Sequence, residues 1–132
     1  MLPESIPTHF DFAGRVDAWG DKTDILLLFG LSILFYAGLT WLSRYPQKFN
    51  YPWKISENNA ERQYHLASNF VKVIELRSVW LFAIISLQMI GIALGQISSL
   101  GYLFVPLVIA ITSATVIGYL ILASRSASNG TR

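Results

Sequence analysis

Three stretches of this chain, residues 25–43, 79–97 and 102–124, contain no Asp, Glu, Lys, Arg or His. A helix rises about 1.5 Å per residue, so each run can cross the roughly 30 Å hydrocarbon core of a bilayer. A helix on a soluble domain needs a polar face for water, and these runs have none to offer. The chain therefore reads as an all-α integral membrane protein whose solvent is lipid. Three transmembrane helices are expected, at 24–43, 78–97 and 102–124, joined by segments that must carry every charge.

Those charges are sorted. Residues 1–24 hold Glu4, Asp11, Asp17, Asp21 and Asp24 against Arg15 and Lys22, a net of −3, whereas residues 44–77 carry a net of +3. Lys and Arg near helix ends are retained on the cytoplasmic side. Three crossings with a basic first loop place the N-terminus outside and the C-terminus in the cytoplasm, and the inverse would export eight of the ten basic residues. The expected location is a plasma membrane. No basic region precedes an apolar run at the start, so no cleavable signal is expected.

Between the spans, shorter patterns set local structure. In residues 1–23, Thr8–Phe12 alternates with period two, and Val16–Trp19 follows Ala13-Gly14-Arg15, a pattern of two short strands about a glycine turn. This extracytoplasmic hairpin is marginal alone and must lean on another element. Gly20 is expected to end the second run, and Asp21 to Asp24 to supply capping oxygens for the first helix. In the cytoplasmic segment 44–77, Ser56 is the expected cap of an amphipathic helix whose apolar stripe is Ala60, Tyr64, Ala67, Val71 and Ile74. That helix either lies on the membrane surface or extends the second span. Trp80 suits the inner interface. Residues 125–132 are expected to form a frayed cytoplasmic tail.

Chemistry-bearing clusters are sparse. No ionisable residue is expected inside the bilayer, where one would signal function; Gln88 is the most polar mid-span residue and is expected to link helices. Gly91 with Gly95, and Ala114 with Gly118, have the small-residue spacing of close helix packing, within the chain or in a homo-oligomer. With no cysteine, disulfides and thiolate metal sites are excluded. No metal or other cofactor is expected, and no nucleic-acid module is present. His9, Asp11 and Asp17 suggest a membrane-surface enzyme as one alternative; a structural subunit of a larger complex is another.

The block Leu2-Pro3-Glu4-Ser5-Ile6-Pro7-Thr8-His9-Phe10, continuing through Gly14, Asp17, Trp19, Gly20 and Lys22, resembles the LPxxIPxHF…G…K signature of an SdpI-like bacterial membrane family. That family is a domain of unknown function that also forms the N-terminal part of a toxin-immunity and signalling protein. Asn50 to Ile55 and Glu57 to Tyr64 are similar to its second signature, and the likeness covers roughly residues 2–75. By this resemblance Pro7, His9, Phe10, Gly14, Asp17, Trp19 and Lys22 are outer partner-binding positions. Asn50, Pro52, Lys54, Asn58, Arg62 and Tyr64 are the cytoplasmic counterparts. Members usually carry a helix before the first block, whereas here Met1 precedes Leu2 directly; an added helix starting inside would leave the orientation unchanged. The resemblance implies non-catalytic binding or sensing, or immunity. The expected partners are the lipid bilayer, a peptide toxin or envelope protein outside, and a regulator or membrane protein inside.

Overall fold

The computed structural model describes residues 3–129; Met1, Leu2 and the last three residues of the expected tail lie outside them. Two strands open the chain, β1 (Ser5–Phe10) and β2 (Val16–Asp21), followed by α1 (Asp24–Ser43), a 3-10 turn at Pro46–Lys48, α2 (Ala60–Ala93) and α3 (Phe104–Asn129). All three helices are long and apolar enough to cross a membrane. This is the architecture of a multi-pass membrane protein.

α1 occupies the expected residues. Its start is set by Asp21, whose carboxylate accepts the Thr23 backbone N–H (2.8 Å) and hydroxyl (2.7 Å), while the N-cap Thr23 itself makes no side-chain cap bond. Gly20 does not end the second strand; β2 runs on to Asp21, which pairs with Ser5.

α2 takes one of the two expected courses, the extension of the second span. The amphipathic segment and the second span are one 34-residue rod, about 51 Å long by helix rise. The reason is phase: the buried stripe Gln63, Ala67 and Val71 continues into Ser86 and Met89 with no break in helical register. Ser56 contributes its carbonyl to the first turn, and Asn59 is the N-cap. α2 stops at Ala93 rather than Ile97, because Gly95 adopts φ +71°. The Gly95 N–H bonds the Ile92 carbonyl and the Gln96 N–H reaches back to Gly91, both at 2.9 Å, a Schellman termination.

Contacts place α1 and α3 on α2. Ile25 and Met89 share a core with Ile6, Phe35 meets Phe82 edge-on (5.6 Å), the Thr40 hydroxyl donates to Glu75 (2.8 Å) and Ser68 donates to the Ser43 carbonyl (2.8 Å). On α3, Phe70 stacks on Tyr119 at 4.4 Å and Arg77 reaches the Ile111 carbonyl. So residues 68–77 run beside α1 rather than beyond it. Glu75 and the exposed Arg77 thus lie level with α1, a span beside which no ionisable group was expected, and Trp80 lies between the Phe82 and Glu75 levels of α2. α3 is also longer than its apolar run: helix continues to Asn129 through the expected tail, with Ala123, Ser126 and Ala127 buried.

Candidate functional site

At one end of the bundle the hairpin forms a platform. β1 and β2 are antiparallel with irregular register: Pro7 faces Trp19, His9 faces Ala18 and Phe10 faces Val16. Thr8 and Asp17 are the unpaired extra residues, and such bulges re-aim side chains. Asp17 is turned onto its neighbour across the sheet, so that Oδ1 lies 2.5 Å from His9 Nδ1. Both remain open to water, at 70% and 44% side-chain exposure. Ile6 and Pro7 are buried, and Phe10 packs on the Ile6–Ile25–Met89 core. Phe12 and Trp19 face outward, 70% and 55% exposed.

The platform is held by backbone. Gly14, at φ +75°, is buried, and its carbonyl accepts the Leu100 N–H at 2.8 Å. Arg15 forms an antiparallel bridge with Ser99 in the α2–α3 connection. Charge closes the rest: Lys22 Nζ donates to Glu4 (2.6 Å), and Arg15 Nε donates to Asp11 (2.8 Å). All seven positions of the first signature therefore belong to one hydrogen-bonded unit. Asp11 does not join His9; the Ala13 and Arg15 N–H groups and the Arg15 guanidinium occupy its carboxylate. Among the described residues, no group of three or more His, Asp or Glu could hold a metal ion.

These bonds have a pH signature. The Arg15 backbone N–H, with help from the Arg15 guanidinium and the Ala13 N–H, holds the Asp11 carboxyl below its ordinary 3.8. The Glu4 carboxylate, by hydrogen bond and charge, holds the Lys22 ammonium above 10.5. A depressed acid contributes above its unfolded value and loses that contribution as pH falls through the folded one; a raised base contributes below 10.5 and loses it only as pH rises through its folded value. We expect the Ala13 and Arg15 amide resonances to hold their positions down to pH 4 and to move only below 3.8. In Asp11→Asn that transition should vanish.

The opposite end is basic and aromatic. Trp41 and Tyr45 pack at 5.2 Å, with Lys48 Nζ 5.0 Å over the Tyr45 ring. Tyr51 donates to the Pro46 carbonyl (2.9 Å) and packs on Phe49 and Tyr64. Burial, then the nearby Tyr119 and Tyr64, push its hydroxyl up to about 12. Of the second signature, Asn50, Pro52, Lys54, Asn58 and Arg62 are exposed and Tyr64 is half-buried.

The structural anchors lie one residue further along. Asn59 accepts the Ser56 N–H and donates to the Lys54 carbonyl. Gln63, wholly buried, accepts Trp53 Nε1–H (2.9 Å) and donates to the Ala123 carbonyl of α3 (2.8 Å). Gln63 was missed in sequence, although a polar residue three after Ala60 on the apolar stripe is a legible signal. It provides the interhelical polar link expected of Gln88, which makes no side-chain hydrogen bond among the described residues.

The small-residue pairs separate. A Cβ on Gly91 would meet Ile97 at 3.3 Å, so Gly91 lies under the α2–α3 connection, while Gly95 lies outside the helix. Ala114 and Gly118 line an open groove between α2 and α3, and a Cβ on Gly118 would meet nothing within 4 Å.

A family described as a domain of unknown function (DUF1648) matches residues 1–34, the hairpin and the first half of α1. The chain is also similar to an uncharacterized protein of the archaeon Archaeoglobus fulgidus, 30% identical over 94 residues, which cover 63% of this chain and 51% of that protein. It thus spans about half the length of that curated relative. No solved structure matches.

Proposed function

We propose that this chain is an SdpI-like protein of the bacterial inner membrane that works by binding rather than catalysis, in toxin immunity or sensing. The hairpin faces outward and meets a peptide toxin or envelope protein; the basic end faces the cytoplasm and meets a regulator or membrane protein. One observation carries this reading. The hairpin is clamped to the α2–α3 connection by backbone bonds, yet leaves Phe12, Trp19 and the His9–Asp17 pair turned to solvent. Burying exposed aromatics on a preorganised surface is the usual anchor of an interface. The family match over residues 1–34 falls on this same unit.

Cells expressing the chain, challenged with a membrane-active peptide toxin, test the proposal. Trp19→Ala and His9→Ala are expected to reduce survival at least about tenfold at unchanged membrane levels, the scale of losing one interface anchor. Unchanged protection across His9→Ala, Trp19→Ala, Lys22→Ala and Arg62→Ala ends it. The chain has no cysteine, so Phe12→Cys and Asn58→Cys report orientation cleanly. An impermeant maleimide should label only the former in intact cells.

A further inference from the structure

Arg77 is a cation without a carboxylate. The ion pairs among the described residues, His9–Asp17, Arg15–Asp11 and Lys22–Glu4, all lie on the hairpin. Arg77 Nη1 donates to the Ile111 carbonyl at 3.3 Å, but that oxygen already accepts the Thr115 hydroxyl at 2.7 Å. Glu75, two residues away, is taken by Thr40 of α1. A guanidinium has five N–H donors in a fixed fork, so most of its hydrogen-bonding capacity is unmet.

The surroundings make that costly. Arg77 stands where two grooves between α2 and α3 meet. The one toward the hairpin, about 350 Å³, is walled by Leu81, Ile84, Phe104 and Val108; the other, about 550 Å³, runs past Asn69 and Gly118 toward the basic end. By helix rise Arg77 lies roughly 13 Å from Ser68, which is level with the end of α1. Helical side chains lean toward the N-terminus of their helix, which for α2 is the basic end. Cations within apolar spans are stabilised by reaching an anion there.

We propose that this groove holds one anionic phospholipid, with its phosphate on the Arg77 fork, an acyl chain along Leu81, Ile84 and Val108, and its headgroup passing Gly118. Arginine and phosphate match bidentately. A cation opening directly onto an apolar channel is the complement of an amphiphile. Besides uncharged spans and its own Arg77, a second copy would bring to this level only Glu75, which is turned toward α1 and accepts the Thr40 hydroxyl there, away from the α2–α3 groove.

Native mass spectrometry of the purified full chain in neutral detergent, titrated with phosphatidylglycerol or phosphatidylcholine, tests this. Wild type should retain phosphatidylglycerol in preference to phosphatidylcholine. Arg77→Gln should weaken that binding about tenfold, the scale of one charged hydrogen bond. Gly118→Leu, which fills open space without touching the charge, should weaken it similarly, while Lys54→Gln should leave it within about twofold because Lys54 lines neither groove. Unchanged binding in Arg77→Gln or Gly118→Leu, an equal loss in Lys54→Gln, or equal retention of the two lipids overturns the proposal. So does displacement by millimolar inorganic phosphate, which marks a free-anion site, or a lipid-free dimer in place of the lipid-bound species.

Discussion

Gln63→Ala is expected to destabilise the protein by about 2–4 kcal/mol, more than any other single polar truncation at the basic end. The side chain is wholly buried and joins three pieces of chain: the loop at Trp53, helix α2 and the Ala123 turn of α3. Truncation leaves the Trp53 indole N–H and the Ala123 carbonyl facing a void. Gln63→Met keeps most of the volume and removes only the bonds, so its cost should fall to about 1–2 kcal/mol. Thermal melts in detergent, followed by circular dichroism, give both numbers. Hydrogen exchange should show the loss concentrated in residues 44–59 and the last turns of α3. A Gln63→Ala variant melting with wild type would mean that the aromatic contacts of Tyr51 and Tyr64 hold this end unaided.

The second large effect belongs to Gly14→Ala. Its φ of +75° disfavours any L side chain by roughly 1–2 kcal/mol, and the new Cβ would stand 2.7 Å from the Gly101 carbonyl oxygen, a backbone atom with no rotamer to yield. Clash and strain together should undock the hairpin from the α2–α3 connection, with a local cost of about 2–4 kcal/mol. Gly101→Ala is the matched control: its φ is also left-handed, at +87°, but the added Cβ meets nothing within 4 Å. Cysteines at Arg15 and Ser99, which face one another across the isolated bridge, should cross-link on oxidation in an otherwise cysteine-free chain. The yield should persist in Gly101→Ala and collapse in Gly14→Ala. If both variants cross-link alike, close approach at Gly14 is not what seats the hairpin.

Much of this architecture was legible because lipid as solvent leaves few choices. α1 has the length, the missing charges and the Asp21 acceptor that mark its ends, and the hairpin followed from period-two alternation around Gly14. Where composition and helical phase point different ways, phase decides. The charges of residues 57–77 left a surface helix and an extension of the second span both open; the stripe from Gln63 through Val71 to Met89 never changes register, and the extension results. The Ser- and Ala-rich end of α3 looked frayed, yet Ala123, Ser126 and Ala127 are buried there.

At the two ends of the bundle, different information was missing. The hairpin's irregular register depends on which residue is left unpaired, and nothing in the alternation reveals that Asp17 is turned onto His9. At the basic end the resemblance singled out Asn58 and Arg62, which are exposed, while their neighbours Asn59 and Gln63 tie the loop to the helices. A motif marks a neighbourhood; burial decides which of its residues bear the structure.

The bridge between Arg15 and Ser99 also constrains how the molecule is made. A strand near the start of the chain docks on a connection that is synthesised only after two helices have emerged. At about 5–20 residues per second, the ribosome needs roughly 4–17 s to travel from one to the other. During that interval the newborn hairpin has no seat, and its unpaired strand edges and bare aromatics are open to whatever surrounds them. Arrival of the α2–α3 connection, rather than delivery of the first helix, is the moment at which this platform acquires its shape.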